Sequence, residues 1–295
     1  MSKLIWFLPL NIYKKGYLKL PQKIFNDKHV EIELIEFTRN EKLYFLPIGE
    51  IKEPKKGKFE LKPILNNSAD YFNRWFKYGY AQYVYSIKYE PQKGNLNDWY
   101  ILNVIDLMDK VNLLVLNHGF HMYLTRDSEF SYKSGCDKSH KYNNRLSDTI
   151  SLKKIELIKG IAEILMTNQH PELQKLHALL ELKKVIENSG SPKGLKCSLM
   201  VTILETLFSN RDEKSEIRYR FPLRMTKYLK GKFEDEMKYI KKLYDNRSAY
   251  YHTGIDKFTS KDESFLYIKA HNCLVDYIFN PKKFDGKEFD RALLK

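Results

Sequence analysis

The chain has 295 residues, of which 43% are apolar and 30% charged, a globular composition that excludes a wholly disordered chain. Lys and Arg outnumber Asp and Glu by 51 to 37, with an excess in both halves, which favours nucleic acid as a partner or simply reflects a lysine-rich, AT-rich genome. The three cysteines form no CxxC pair, and no stretch approaches about 18 apolar residues, which argues against a disulfide framework and a membrane span and predicts a cytoplasmic protein.

The first part of the chain is predicted to form mainly strands. Apolar and polar residues alternate with a period of two over residues 30–35 and 83–87, and an apolar run covers 42–46. This pattern indicates an antiparallel, β-rich domain. An amphipathic stripe then predicts a helix over 97–109, whereas residues 111–124 are compatible with a helix or a strand.

A polar, turn-rich segment over residues 133–144 is the predicted linker, with the domain boundary near residue 145. Residues 1–145 would form the β-rich domain and residues 146–295 a helical domain, so the predicted fold class is α+β. Apolar residues recur at helical spacing in three stretches beyond the linker. They are Ile155, Ile158, Ile161 and Leu165, then Leu173, Leu176 and Leu180, then Leu199, Ile203 and Leu207. Further helices are predicted around 218–229, from about 235, and over 263–278.

The end of the penultimate predicted helix carries the residues best suited to chemistry. At about 100° per residue, Arg247 falls on the apolar stripe that includes Ile240, and His252 lies about 140° round the helix from Arg247. Asn246 lies on the other side. The same wedge of helix also presents Tyr244, Ser248 and Tyr251. Gly254 is well placed to end the helix.

Arginine and histidine together suit the cleavage of a phosphodiester. In RNA the ribose 2′-OH is an internal nucleophile, so His252 can move the proton while Arg247 stabilises charge on the phosphoryl oxygens. No metal or other cofactor is then expected, and the products would carry 2′,3′-cyclic phosphate and 5′-OH ends. The alternative is structural: Arg247 pairs with Glu205 on an apolar helix, and His252 caps the helix end.

Three segments of the helical half match a known family pattern. They are Leu204-Glu205, the segment Ile217-Arg218-Tyr219-Arg220-Phe221-Pro222-Leu223-Arg224, and Tyr-x2-Arg-Ser-x3-His-x-Gly over residues 244–254. In these residues the region from about 150 to 280 resembles the HEPN superfamily, and within it the Apea-like branch of prokaryotic antiphage proteins. The chain has Ser248 where the family often has Asn, Asp or His, and Thr253 is inserted between the usual His and Gly.

The resemblance implies a metal-independent endoribonuclease that works as a homodimer, with both copies of Arg247 and His252 lining one cleft. Ser248 would be the polar residue beside the arginine, and the supporting residues would be Tyr244, Tyr251, Glu205 and Asn246. RNA, with tRNA as one candidate, would be the substrate. The function would be antiphage or toxin-type defence, with the N-terminal domain sensing a phage-derived or cellular trigger.

Basic residues near the motif form a predicted track for RNA phosphates. They are Arg220, Arg224 and Lys227 on one helical face, and Lys241 and Lys242 just before the motif. An ordinary solvated face is the alternative for either set.

Three other interpretations remain open at this point. The HEPN-like domain could be catalytically silent and bind nucleic acid or a partner protein, or the N-terminal domain could carry an independent activity while the helices dimerise. A formal zinc pattern, His118-x2-His121 with Cys136-x3-His140, lacks a second CxxC pair, and we predict no metal site from it.

Overall fold

The computed structural model describes residues 4–10, 19–36, 48–49, 62–63, 83–89, 98–116, 124–125, 150–187, 191–209, 216–286 and 289–290. The chain divides into two compact units, Met1–Glu163 and Ile164–Lys295. The described residues form an antiparallel sheet near the N-terminus and seven α-helices, which agrees with the predicted α+β class. None of these helices is both long and apolar enough to cross a membrane.

The first unit is built on an antiparallel five-stranded sheet with the order β2-β3-β6-β1-β7. The strands in chain order are β1 Leu4–Leu10, β2 Gln22–Asn26, β3 Val30–Glu36, β4 Ile48–Gly49, β5 Lys62–Pro63, β6 Tyr83–Tyr89 and β7 Leu124–Thr125, of which β4 and β5 form a separate pair. Ile32 and Leu34 of β3 lie opposite Ile87 and Tyr85 of β6, and all four are fully buried. The two alternating segments are thus confirmed as strands, whereas the run 42–46 lies outside the described residues.

The first helix, α1, covers Asp98–Leu116 and is longer than the predicted 97–109. Residues 111–116 continue this helix and are all buried, so this part of the ambiguous stretch is helical. A second helix, α2, covers Leu152–Met166. The predicted linker at 133–144 and the boundary near 145 lie outside the described residues, and the boundary stays a prediction.

The second unit is a group of helices arranged around one central helix. The helices are α3 Leu173–Glu187, α4 Lys193–Phe208, α5 Ile217–Leu229, α6 Phe233–Thr253 and α7 Ser260–Phe279, followed by a 3₁₀ turn at Pro281–Phe284. Helix α4 contacts each of the other four and is buried on most of its circumference. A helix that is apolar on all sides belongs in the centre of a bundle, because it leaves no polar face for solvent.

The two ends of the α6–α7 connection are set by local capping. Helix α6 ends at Gly254, which has φ of 71° and donates its N–H to the Tyr250 carbonyl at 2.9 Å, as the sequence predicts. Helix α7 starts with a capping box in which Thr259 and Asp262 each accept a hydrogen bond from the other's backbone N–H. The chain between them is therefore a short turn that places the end of α6 beside the start of α7.

Candidate functional site

Arg247, near the end of α6, lies against Glu205 of the central helix α4. Its Nη2 atom is 3.4 Å from Glu205 Oε2. The rings of Tyr244 and Tyr251 lie on either side in sequence, with centroids 5.8 and 5.1 Å from the guanidinium carbon. The Arg247 and Glu205 side chains are 23% and 16% exposed, so the ion pair is largely shielded from solvent. The ion pair between Arg247 and Glu205, the structural alternative that the sequence allows, is therefore present.

This ion pair leaves polar atoms without hydrogen bonds. Among the described residues, neither Arg247 Nε nor Glu205 Oε2 has a hydrogen-bond partner, although both atoms are buried. Burial raises the pKa of Glu205, and the charge of Arg247 offsets this only in part. A buried donor without an acceptor costs about 1–3 kcal/mol. Because Arg247 Nε is buried, an external acceptor such as a phosphate oxygen could contact only the solvent-accessible part of this side chain, 23% of which is exposed.

Ser248 and His252 lie next to this pair on the last two turns of α6. Ser248 is half-buried, and His252 is exposed. They are four residues apart and so share a face of the helix. Arg247 and His252 are separated by about 7.5 Å along the helix axis, at 1.5 Å per residue. They also lie about 140° apart around the helix, so in one copy of the chain the two side chains do not share a face.

The buried line of α6 differs from the predicted one. Its buried residues are Ile240, Leu243 and Asn246, so the buried line runs toward Asn246, away from the face that carries Ser248 and His252. Asn246 Nδ2 donates to the Lys257 carbonyl at 3.3 Å and so holds the turn that follows the helix. Helix α6 packs against both α4 and α5. The side of α6 that faces these two helices is therefore the buried one. A supporting role for Asn246 is structural in this geometry.

The two tyrosines of the motif have different surroundings. Tyr244 packs against Phe221 of α5 with ring centroids 6.1 Å apart, and burial, followed by the charge of Glu205, raises its pKa. Tyr251 is 48% exposed and contacts the ring of Tyr250 at 6.2 Å between centroids. Tyr244 therefore positions Arg247 from inside, whereas Tyr251 is open to a ligand.

Arg224 is a correction to the predicted RNA-binding set. Its side chain is fully buried, and its guanidinium donates to both carboxylate oxygens of Asp290, at 3.1 and 2.7 Å, and to the Phe208 carbonyl at 3.0 Å. All of this holds the C-terminal segment onto α5 and leaves no surface for a phosphate. The predicted residues on the same helical face are less buried than Arg224, because one edge of that face lies against the core and the other edge lies toward solvent.

The other predicted RNA-binding residues remain at the surface. Arg220 donates to Glu216 at 3.2 Å and lies 3.8 Å from Asp290. Lys227 is half-buried, Lys241 is exposed, and Lys242 is exposed with its ammonium 3.8 Å from Asp262. These five predicted residues thus do not form one track, since Arg224 is in the core and Arg220 is engaged by acidic neighbours.

Two features next to the site were not predicted. Arg218 of α5 makes a bidentate ion pair with Asp245, at 2.9 and 3.0 Å, two residues before Arg247. Gly194 of α4 lies under Tyr250, since a Cβ atom there would come within 2.5 Å of the ring. Both contacts join residues far apart in the sequence. The opposite charges of Arg218 and Asp245 are the one sequence signal for the first contact, and no local pattern predicts the close approach of Gly194 and Tyr250.

No group of three or more His, Cys, Asp or Glu residues suited to hold a metal ion occurs in the described part of the chain. The formal zinc pattern of His118, His121, Cys136 and His140 lies outside that part. The chain matches no protein-family model, no curated protein and no solved structure.

Proposed function

We propose that this chain is a metal-independent endoribonuclease of the HEPN type, acting through Arg247 and His252. The observation that carries the proposal is the partly exposed side chain of Arg247, which lies five residues before the exposed imidazole of His252 on the same helix. The resemblance of the motif over residues 244–254 to the HEPN pattern supports it. The chain's charge of +14 suits a polyanionic substrate.

In the proposed reaction the substrate supplies its own nucleophile. His252 accepts the proton of the ribose 2′-OH, and the 2′-oxygen attacks the adjacent phosphorus. Arg247 stabilises the negative charge that develops on the phosphoryl oxygens through the N–H groups of its guanidinium. The bond to the 5′-oxygen breaks, and this oxygen takes a proton from a protonated imidazole, which the His252 of a second copy supplies in a homodimer. The products are a 2′,3′-cyclic phosphate and a 5′-OH.

Ser248 has a smaller part in this proposal. Its hydroxyl can orient the phosphate or the imidazole, since it shares a face with His252. It cannot replace the charge of Arg247 or the proton transfer of His252. The N-terminal sheet domain would then sense a phage-derived or cellular trigger, and cleavage of RNA, with tRNA as one candidate, would be the defence or toxin response.

The test is cleavage of total tRNA by the purified full-length chain, with and without EDTA. We expect cleavage in EDTA and cyclic phosphate ends on the products. His252→Ala should lower the rate by about 10²–10⁴-fold, the range for a general acid–base residue. Arg247→Ala should lower it by about 10²–10³-fold, the range for one charge-stabilising donor. Cleavage that needs a divalent ion, or full activity of His252→Ala, would contradict the proposal.

A second candidate is a catalytically silent module that binds nucleic acid or a partner protein. The specific observation in its favour is the ion pair between Arg247 and Glu205, which gives the arginine a structural use. In this case Arg247→Ala and His252→Ala would lower stability or binding, and the parent chain would not cleave RNA. Circular dichroism of both variants beside the cleavage assay separates the two candidates.

A further inference from the structure

A second surface of the helical unit combines aromatic rings with ammonium groups. Tyr239 of α6 and Phe265 of α7 meet edge to face, with ring centroids 5.0 Å apart and an interplanar angle of 76°. Lys242 places its ammonium 5.8 Å from the centre of the Tyr239 ring, and Lys269 places its ammonium 5.6 Å from that of Phe265. We call these four residues the α6–α7 patch.

The aromatic pair is held in place by buried hydrogen bonds. The Tyr239 hydroxyl donates to Asp262 Oδ1 at 2.7 Å, and Asp262 is only 1% exposed. Burial disfavours the charged form of Asp262, but hydrogen bonds from the Thr259 backbone and from Tyr239 lower its pKa nonetheless. The carboxylate therefore stays charged at neutral pH and anchors the ring. A ring fixed in this way can stack on a ligand with little loss of conformational entropy.

Exposed lysines lie beside the aromatic pair on both helices. Lys242 is 53% exposed, and Lys238 and Lys261 nearby on the same two helices are exposed as well. Asp262 is buried and committed to Tyr239, to the Thr259 N–H and, at 3.8 Å, to Lys242. The acidic residues Asp235 and Glu236, in the first turn of α6, lie one helical turn before Tyr239 and mark the acidic edge of the patch.

We infer that the α6–α7 patch binds single-stranded RNA outside the cleavage site, with unpaired bases stacking on Tyr239 and Phe265 and phosphates lying along Lys242 and Lys269. Aromatic rings among lysines are the combination that holds single strands, because every unpaired base offers a face for stacking. The bases of a duplex are already stacked and paired, so they cannot use the rings. The inference rests on the proposed function for its ligand, RNA, but not on cleavage.

The position of the patch fits a strand that also reaches the candidate site. Tyr239 precedes Arg247 by eight residues on the same helix, which is about 12 Å along its axis and about 80° around it. Successive charges of one strand are about 3.4 Å apart in a stacked helix, so about three or four nucleotides cover that distance. The patch would thus choose unpaired segments for the site to cleave.

The test uses the full chain with His252→Ala, so that RNA is bound without being cleaved. Binding of a short labelled single-stranded RNA is measured by fluorescence anisotropy at several salt concentrations. Phe265→Leu keeps an apolar side chain but removes the ring, and we expect about tenfold weaker binding, a loss within the range for one stacked base. Duplex RNA should bind the parent and Phe265→Leu equally.

Lysine variants test the same patch while leaving both aromatic rings in place. Replacing Lys242 and Lys269 by Ala should lower the slope of log affinity against log salt by about 1.4, at about 0.7 per phosphate contact for single strands. The matched control replaces Lys153 and Lys282, which are exposed elsewhere, and should leave the slope unchanged. If Phe265→Leu unfolds, the comparison of the two lysine variants still shows whether the patch binds RNA.

Three results would overturn the inference. They are unchanged single-strand binding in Phe265→Leu and in the Lys242/Lys269 variant, an equal loss in the control variant, or displacement of the RNA by a polyglutamate peptide as readily as by unlabelled RNA. Failure of the proposed function looks different, because the parent chain would then bind RNA through the patch without cleaving it. If the parent chain cleaves RNA and the patch variants bind RNA as the parent does, the RNA-binding role of the patch is rejected and the proposed function stands.

Discussion

Replacing Arg247 by Lys separates a catalytic arginine from a structural one. Lysine keeps the positive charge that faces Glu205, so the ion pair at 3.4 Å in the parent can still form. It loses the planar guanidinium, and with it the Nε donor that has no hydrogen-bond partner among the described residues. A structural role needs mainly the charge, whereas the proposed chemistry needs the fork of donors.

The expected magnitudes differ widely between the two roles. The guanidinium lies 5.8 and 5.1 Å from the rings of Tyr244 and Tyr251, and each such contact is worth about 0.5–1 kcal/mol at an accessible site. Arg247→Lys should therefore lower the free energy of unfolding by at most about 1–2 kcal/mol, the value if lysine made neither contact. Loss of one donor to the phosphoryl oxygens should lower the cleavage rate by about 10²-fold. A stability change of that size leaves the chain folded, so it cannot produce the loss of rate.

The assay is initial-rate cleavage of labelled tRNA in EDTA, with urea unfolding followed by circular dichroism on the same samples. Arg218→Lys is the matched control, because Arg218 makes a bidentate pair with Asp245 on the neighbouring turn but has no part in the proposed reaction. It should cleave at close to the parent rate. Cleavage by Arg247→Lys at the parent rate would refute the reasoning, and an equal loss in Arg218→Lys would assign the effect to local structure.

Three further predictions concern the framework of the helical unit. Asp290→Ala should lower the free energy of unfolding by about 3 kcal/mol, the low end for a broken buried pair, since Arg224 is fully buried and Asp290 is 40% exposed; urea unfolding measures it. Gly194→Ala should destabilise by about 1–2 kcal/mol in thermal unfolding, because the new Cβ would come within 2.5 Å of the Tyr250 ring and this crowding exceeds the gain in helix propensity. Asp262 has a lowered pKa in the fold, so its contribution is present above its unfolded pKa and is lost as the pH falls through the folded one. The stability difference between the parent and Asp262→Asn should accordingly shrink in acid, and a difference that grows would show the sign to be wrong.

Local sequence patterns were enough to find most of the described elements of the fold. Period-two alternation identified β3 and β6, and helical spacing together with Gly254 identified α6 and its end. These succeed because alternation, helical periodicity and capping depend on residues a few positions apart. The extension of α1 through residues 111–116 was left open, since a short continuous apolar run is compatible with a buried helix or a buried strand.

The sequence by itself determined which residues at the end of α6 have chemical potential, whereas only the tertiary structure decided how each is used. Arg224 and Arg247 look alike in sequence, yet the first is buried on Asp290 and the second keeps a free donor beside Glu205. Asn246 is buried although its helical position alone did not predict burial, because α4 and α5 together set the direction of the core. Burial and pairing depend on partners distant along the chain, and periodicity within one helix carries no information about where those partners lie.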